Sequence, residues 1–406
     1  MKILEQSNKV ALTRVPKLRF PEFRDSASWD KKEINKLLTI GSGKDYKHLS
    51  MGDIPVYGSG GYMLSVNDYL YDGESVCIGR KGTIDKPIFL TGKFWTVDTL
   101  FYTHSFIKCS PKFIFYQFQK INWKNYNEAG GIPSLSKTTI GKIEIRVPSF
   151  SEQQKIADCL SSLDNVISLQ TQKIEALQQY KKGVMQKLFP AERETVPELR
   201  FGGFQNEDAW HSLDLGSCLL KRPEYGVNAP AVPFSKELPT YLRITDIAEN
   251  GSFIHEQKTS VAKNVTDSNY LKKGDIVLAR TGASVGKSYL YNEKDGALVF
   301  AGFLIRVRPN QKKLNSGFLF QYFKTEQYWK WVSLNSARSG QPGINGSEYS
   351  ALPIVLPSMQ EQQKIADCLS SLDELIDTET QKLDVLRTHK TGLMQQLFPA
   401  MDEVNA

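Results

Sequence analysis

Glu152–Asp164 reads EQQKIADCLSSLD, and Glu361–Asp373 reads EQQKIADCLSSLD again. All thirteen positions agree at an offset of 209 residues, and that register holds as far as Lys187-Leu188-Phe189-Pro190 against Gln396-Leu397-Phe398-Pro399. A shorter repeat precedes each copy at a different offset, 181. It runs Val15-Pro16-Lys17-Leu18-Arg19-Phe20 with Phe23 and Trp29, then Val196-Pro197-Glu198-Leu199-Arg200-Phe201 with Phe204 and Trp210. The 406-residue chain is therefore short repeat, variable segment, long repeat, written twice. Self-similarity on this scale means one architecture used two times.

Each long repeat carries an apolar stripe at alternating spacings of four and three. The first is Ile156, Leu160, Leu163, Ile167, Gln170, Ile174, Leu177, Lys181, Val184 and Leu188; the second is Ile365, Leu369, Leu372, Ile376, Glu379, Leu383, Leu386, Lys390, Leu393 and Leu397. That is the seam of a coiled coil. Pro148 and Pro357 stand before the helices, Pro190 and Pro399 stop them, and Ser151 with Gln154 reads as a capping box for the first. Each rod has about 37 residues, or roughly 55 Å at 1.5 Å per residue. Burying each Leu or Ile contributes about 1.5–3 kcal/mol, so the two stripes are expected to pair. Related by a pseudo-two-fold axis, they pair antiparallel, with Gln170 and Glu379 facing each other at mid-seam and setting register. The alternative is two helices packed separately, each on its own domain.

The variable segments, about 30–147 and 211–356, are strand-rich with helical pieces. In the first, the buried strand Ser75–Ile78 runs into Gly79-Arg80-Lys81-Gly82; in the second, Asp275–Ala279 runs into Arg280-Thr281-Gly282. An aromatic helix follows each, Phe113–Phe118 and Phe318–Phe323, read as a core face with base stacking as the alternative. Polar glycine loops come next, Gly130–Lys137 and Ser339–Asn345, and closing strands end the segments at Ile143–Val147 and Pro353–Leu356. The net charge of +7 is unevenly spread. Residues 30–150 hold 16 Lys/Arg against 11 Asp/Glu, and residues 211–357 hold 18 against 12. Residues 151–195 are balanced at 6 and 6, while 358–406 carry 4 against 9. Cationic surface supplies sequence-independent affinity for nucleic acid, so the variable segments are the expected DNA-facing parts.

Other chemistry is weakly supported. Five cysteines, spread out and without a CxxC pair, fit a reducing compartment and no zinc site. The five histidines lack metal-ligand spacing. Met1–Arg14 is polar and has no secretory run, no apolar stretch is long enough to span a bilayer, and a cytoplasmic protein is expected. Thr281–Ser288, TGASVGKS, misses a phosphate-binding loop by its first glycine; a strand-to-loop turn with Lys287 exposed is the better reading. Glu256-Gln257-Lys258 has the ExK form of nucleases, a pattern common by chance.

Taken together, the paired EQQKIADCLSSLD helices, the LRF-x-x-F segments and the QKLFP and QQLFP endings resemble type I restriction-modification specificity subunits over nearly the whole chain. The resemblance implies an α+β fold: two α/β target recognition domains separated by two long antiparallel coiled-coil helices, in a pseudo-two-fold repeat. The parts would be 1–150, first recognition domain; 151–190, central helix; 191–357, second recognition domain; and 358–406, distal helix and tail. The resemblance further implies a non-catalytic reader of a bipartite double-stranded DNA site. Two methyltransferase subunits using S-adenosylmethionine and two motor-nuclease subunits using ATP and Mg²⁺ would supply catalysis, with no cofactor or metal on this chain. By position, the DNA-reading candidates are Arg80, Lys81, Ser134, Ser136 and Lys137 in the first half. In the second they are Arg280, Thr281, Ser284, Lys287, Arg338, Gln341 and Asn345. A stand-alone nuclease or NTPase, and a coiled-coil adaptor without DNA, are the competing classes.

Overall fold

The computed structural model describes residues 15–338 and 340–399. The polar N-terminal stretch Met1–Arg14 lies outside them, as does Ser339 of the second glycine loop. The chain divides into two compact units, Met1–Thr171 with Gln381–Ala406, and Gln172–Thr380.

In the first unit β1 (Asp30–Glu33) pairs antiparallel with β10 (Glu144–Val147), Asp30 opposite Val147, which closes the variable segment on itself. Between them β2 (Thr39–Ser42), β6 (Ser75–Gly79), β7 (Ile88–Leu90) and β9 (Leu100–His104) form a sheet in the order β2-β9-β6-β7. A second sheet, β4-β3-β8-β5, uses β3 (Met51–Gly58), β4 (Gly61–Val66), β5 (Tyr71–Asp72) and β8 (Lys93–Thr96). Every residue of β6 is buried, which is why its sequence runs apolar instead of alternating. Helix α1 (Pro111–Lys120) opens on proline, whose missing N–H costs nothing at a helix start. The short α2 (Lys137–Lys142) leads into β10, and then α3 (Phe150–Leu188) begins.

The second unit repeats the plan. β11 (His211–Asp214) pairs with β20 (Pro353–Leu356), His211 opposite Leu356. One sheet has the order β12-β19-β16-β17, from β12 (Glu224–Tyr225), β16 (Ile276–Ala279), β17 (Ser288–Leu290) and β19 (Leu304–Val307). The other, β13-β15-β14-β18, joins β13 (Ala231–Pro233), β14 (Thr240–Leu242), β15 (Thr259–Val261) and β18 (Leu298–Phe300). Helices α4 (Ser316–Tyr322), α5 (Glu326–Ser336) and α6 (Gly346–Ser350) precede α7 (Met359–Leu397).

Both long helices have 39 residues. Their N-caps differ from the sequence expectation: Ser149 and Ser358, not Ser151, accept from the Glu152 and Glu361 N–H groups at 3.4 Å each. The capping serine thus sits two residues earlier, directly after the proline. Of the stripe positions, Ile156, Leu160, Ile174, Lys181, Leu188, Ile365, Leu369, Glu379, Leu383 and Leu397 are buried; Leu163, Ile167, Gln170, Leu177, Val184, Leu372, Ile376, Leu386, Lys390 and Leu393 are half-buried. Glu379 carries an ion pair to Lys173 of α3 at 3.1 Å.

The helices pair antiparallel, and each unit shows it through its own contacts. In the first, Lys390 of α7 meets Asp164 of α3 at 2.6 Å; in the second, Lys181 of α3 meets Asp373 of α7 at 2.5 Å. Each residue of one pair is the 209-offset copy of a residue in the other, as a pseudo-two-fold repeat requires. The helix ends do the same. Leu397 and Phe398 join the first core, with Trp29, Ile34, Phe113, Phe118, Ile156 and Leu160. Leu188 and Phe189 join the second, with Trp210, Phe318, Tyr322, Ile365 and Leu369. The aromatic helices are accordingly core faces: Phe113, Phe118, Phe318 and Phe323 are at most 1% exposed.

The two kinds of repeat meet in a buried ion pair. Arg19 grips Glu152 through Nε at 2.8 Å and Nη2 at 2.7 Å, and Trp29 Nε1 donates to the same carboxylate at 3.3 Å. Arg200 grips Glu361 likewise, at 3.0 and 2.6 Å. The following glutamine ties the loop ahead of the aromatic helix: Gln153 Oε1 accepts from the Ser110 N–H and Gln362 Oε1 from the Asn315 N–H, both at 2.9 Å. Such forked pairs are geometrically specific, which accounts for LRF and EQQ recurring together.

Candidate nucleic-acid interface

In the first unit β6 emerges from the sheet at Gly79, where a Cβ would lie 2.0 Å from the Thr83 carbonyl oxygen. Only glycine fits that approach. The next residues, Arg80 and Lys81, are exposed, and their N–H groups donate to the Thr99 carbonyl at 2.8 and 3.3 Å. The turn is then fastened to the glycine loop: Gly82 N–H donates to Pro133 O at 2.9 Å, Leu135 N–H donates to Arg80 O at 2.9 Å, and Lys81 bridges Ser134. A cleft of about 640 Å³ results, lined by Arg80, Lys81, Ser134, Ser136 and Lys137 together with Asp98 and Glu128. All five first-half candidates converge there.

Their side chains are differently committed. Ser136 caps α2, accepting from Thr139 N–H at 3.1 Å, and donates to Glu128 at 2.8 Å. Hydroxyl donation from Thr139 and Ser136 holds the Glu128 carboxyl below its usual range. Arg80 Nη1 makes one long bond to Asp98 O, 3.4 Å, and Lys137 Nζ stands 5.9 Å from the Phe101 ring. Arg80, Lys81 and Lys137 keep donors for an anionic ligand, which a phosphate or base edge would accept.

The second unit builds the same fastening from different residues. Gly282 N–H donates to Pro342 O and Ile344 N–H to Arg280 O, both at 2.9 Å, and Thr281 bridges Gly343. Asn345 caps α6 as Ser136 caps α2, with Glu348 completing a capping box. Arg280, Thr281, Gln341 and Asn345 therefore gather on one pair of loops. The Arg280 guanidinium lies over the Tyr225 ring, 4.8 Å from guanidinium carbon to ring centre, and Tyr225 OH accepts from Gly346 N–H at 3.0 Å. Tyr225 escaped the sequence reading because it sits on a two-residue strand far upstream in sequence.

Other candidates are placed differently. Arg338, exposed, is ion-paired with Glu348. Lys287 is not exposed: its side chain is 16% accessible and bound to Glu249 at 2.6 Å, with a further bond to Ile247 O at 3.3 Å. Ser284 ends the short turn Gly282–Ser284, and Gly286 packs against Val332 and Trp329 of α5. The TGASVGKS segment runs into strand β17, whereas a phosphate-binding loop opens a helix. Among the described residues no group of His, Cys, Asp or Glu could hold a metal ion, and no helix is long and apolar enough to cross a membrane.

A family model described as type I restriction modification DNA specificity domain matches residues 27–179 and 237–388. The type I restriction enzyme MjaVIII specificity subunit of Methanocaldococcus jannaschii is 26% identical over 346 residues, 81% of this chain and 77% of its own length. The EcoDI specificity subunit of Escherichia coli is 22% identical over 396 residues, 91% of this chain and 87% of its own. Among solved structures, the type I restriction-modification S subunit from M. genitalium aligns with a TM-score of 0.67 over 96% of this chain and all of its own, at 18% identity. That last likeness concerns the fold.

Proposed function

The chain belongs to the type I restriction-modification specificity subunits and carries two target recognition domains, and from that premise we propose that each domain reads one part of a bipartite site on double-stranded DNA. The observation that carries the reading is the shared fastening of a cationic turn to a glycine loop, with one backbone plan and two different sets of side chains. One scaffold with two surfaces suits two unlike half-sites. Arg80, Lys81 and Lys137 are the proposed contacts in one domain; Arg280, Thr281, Gln341 and Asn345 in the other. Phosphate contacts position a protein and base contacts specify sequence, so the lysines orient and the arginine and amide side chains discriminate.

On this reading the paired helices set the spacing between the readers and dock two methyltransferase subunits, and two motor-nuclease subunits complete the assembly. Adenine methylation with S-adenosylmethionine, and DNA translocation and cleavage with ATP and Mg²⁺, then belong to those partner chains. The test is methylome mapping in cells that express the chain with its methyltransferase partner. A two-part methyladenine motif with an unspecified spacer is expected, and Arg80→Ala should relax one part alone. A single uninterrupted motif, or equal relaxation of both parts, would overturn the proposal.

A further inference from the structure

Arg280 differs from four other arginines of its unit. Arg243, Arg306, Arg308 and Arg338 are each bound to a carboxylate: Asp246 at 2.6 Å, Glu224 at 2.6 Å, Asp275 at 2.6 Å, and Glu348. Among the described residues Arg280 has no carboxylate partner. Its backbone is clamped on both sides, the N–H donating to Phe303 O at 3.1 Å and the carbonyl accepting from Ile344 N–H at 2.9 Å. Its Nε is buried with no hydrogen-bond partner. The Tyr225 ring beneath it is itself fixed, through its hydroxyl to Gly346 and through β12 pairing with β19. A planar cation thus sits over a fixed ring, with its inner nitrogen buried and the terminal Nη1 and Nη2 left as a two-pronged donor.

We propose that Arg280 reads a guanine in the major groove through that terminal fork, donating to O6 and N7, and that Tyr225 is a positioning residue that holds the guanidinium in place from beneath. The geometry matches the two acceptors that guanine presents on its major-groove edge, the commonest specific pairing of arginine with DNA. A lysine ammonium can also donate to O6 and N7, but it lacks the planar fork that an aromatic face can orient. The inference rests on the DNA-reading function proposed above.

The test uses the complex of this chain with its methyltransferase partner, on duplexes carrying its mapped site. Each guanine of the half-site assigned to the second domain is replaced in turn by 7-deazaguanine, which lacks the N7 acceptor, or by hypoxanthine, which lacks only the minor-groove amino group. At one guanine, 7-deazaguanine should weaken binding roughly tenfold or more, while hypoxanthine should change it by less than about twofold. Arg280→Met, which keeps the side-chain length and removes every donor, should abolish that sensitivity and let the methylation motif accept other bases at that position alone. Tyr225→Phe should keep the guanine requirement; Tyr225→Leu should relax it without altering the salt dependence of binding. The base-analogue arm needs no variant, so it survives a substitution that fails to fold. A half-site without guanine, a response to hypoxanthine in place of 7-deazaguanine, or an unchanged motif with Arg280→Met overturns the guanine assignment while leaving the bipartite reading intact. Absence of any two-part site in the wild-type complex overturns both.

Discussion

Truncating Phe398 to alanine should unfold the opposite end of the sequence from the one in which it lies. Phe398 is 1% exposed; its ring centre is 6.0 Å from Trp29 and 5.4 Å from Phe113, with Lys120 Nζ 5.1 Å above the ring. Phe→Ala at a packed site costs about 3–5 kcal/mol. At about 1.4 kcal/mol per decade, the amides of the first unit that exchange by its global opening should then exchange roughly two to three and a half orders of magnitude faster. Hydrogen exchange read by mass spectrometry should find the change in 30–147 and leave 211–356 at wild-type rates. Phe189→Ala should do the reverse, since Phe189 lies 5.2 Å from Phe318 and 6.3 Å from Trp210. Loss of protection in 211–356 on Phe398→Ala, or equal loss in both segments, would refute the crossed assignment of helix ends to cores.

Three further outcomes follow from the same contacts. Glu152→Gln leaves Arg19 buried without its carboxylate and should cost the first unit about 3–5 kcal/mol in urea denaturation; a loss under about 1 kcal/mol would mean the pair is not the clamp described. Burial lowers the Lys120 ammonium from 10.5 to about 8. Between those values the unfolded chain keeps a proton that the folded chain has released, so stability should rise with pH across that window. Lys120→Met should flatten the rise, and an unchanged profile would exclude Lys120 as its source. Leu163→Asp, on the half-buried stripe of α3, should prevent co-purification with the methyltransferase partner, whereas Ser162→Asp, exposed beside it, should not; equal effects would show that the stripe is not what matters.

Much of this is legible in the sequence because repetition is visible without knowing any contact. The thirteen-residue identity located both rods, and the four-three spacing chose their inward faces. The sequence points to Ser151 as the helix start because two serines stand close together, and only backbone geometry shows which lies outside the first turn. Lys287 looks exposed in the sequence because a lysine after glycine resembles a turn tip; its partner Glu249 comes from a loop nearly forty residues away, and no local pattern encodes that. Tyr225 was invisible for the same reason. The meeting of Arg19 with Glu152 was implicit in two motifs recurring together, yet recurrence does not state that they touch.

The first unit takes Leu397 and Phe398 from the far end of α7, and this inverts the order in which the protein can assemble on the ribosome. The second unit lies within one uninterrupted stretch, Gln172–Thr380, and is complete first. The older polypeptide must meanwhile wait with Trp29, Phe113 and Leu160 uncovered. At 5–20 residues per second that delay is on the order of ten to fifty seconds, long enough for a nascent chain with an open apolar groove to need a chaperone's shelter.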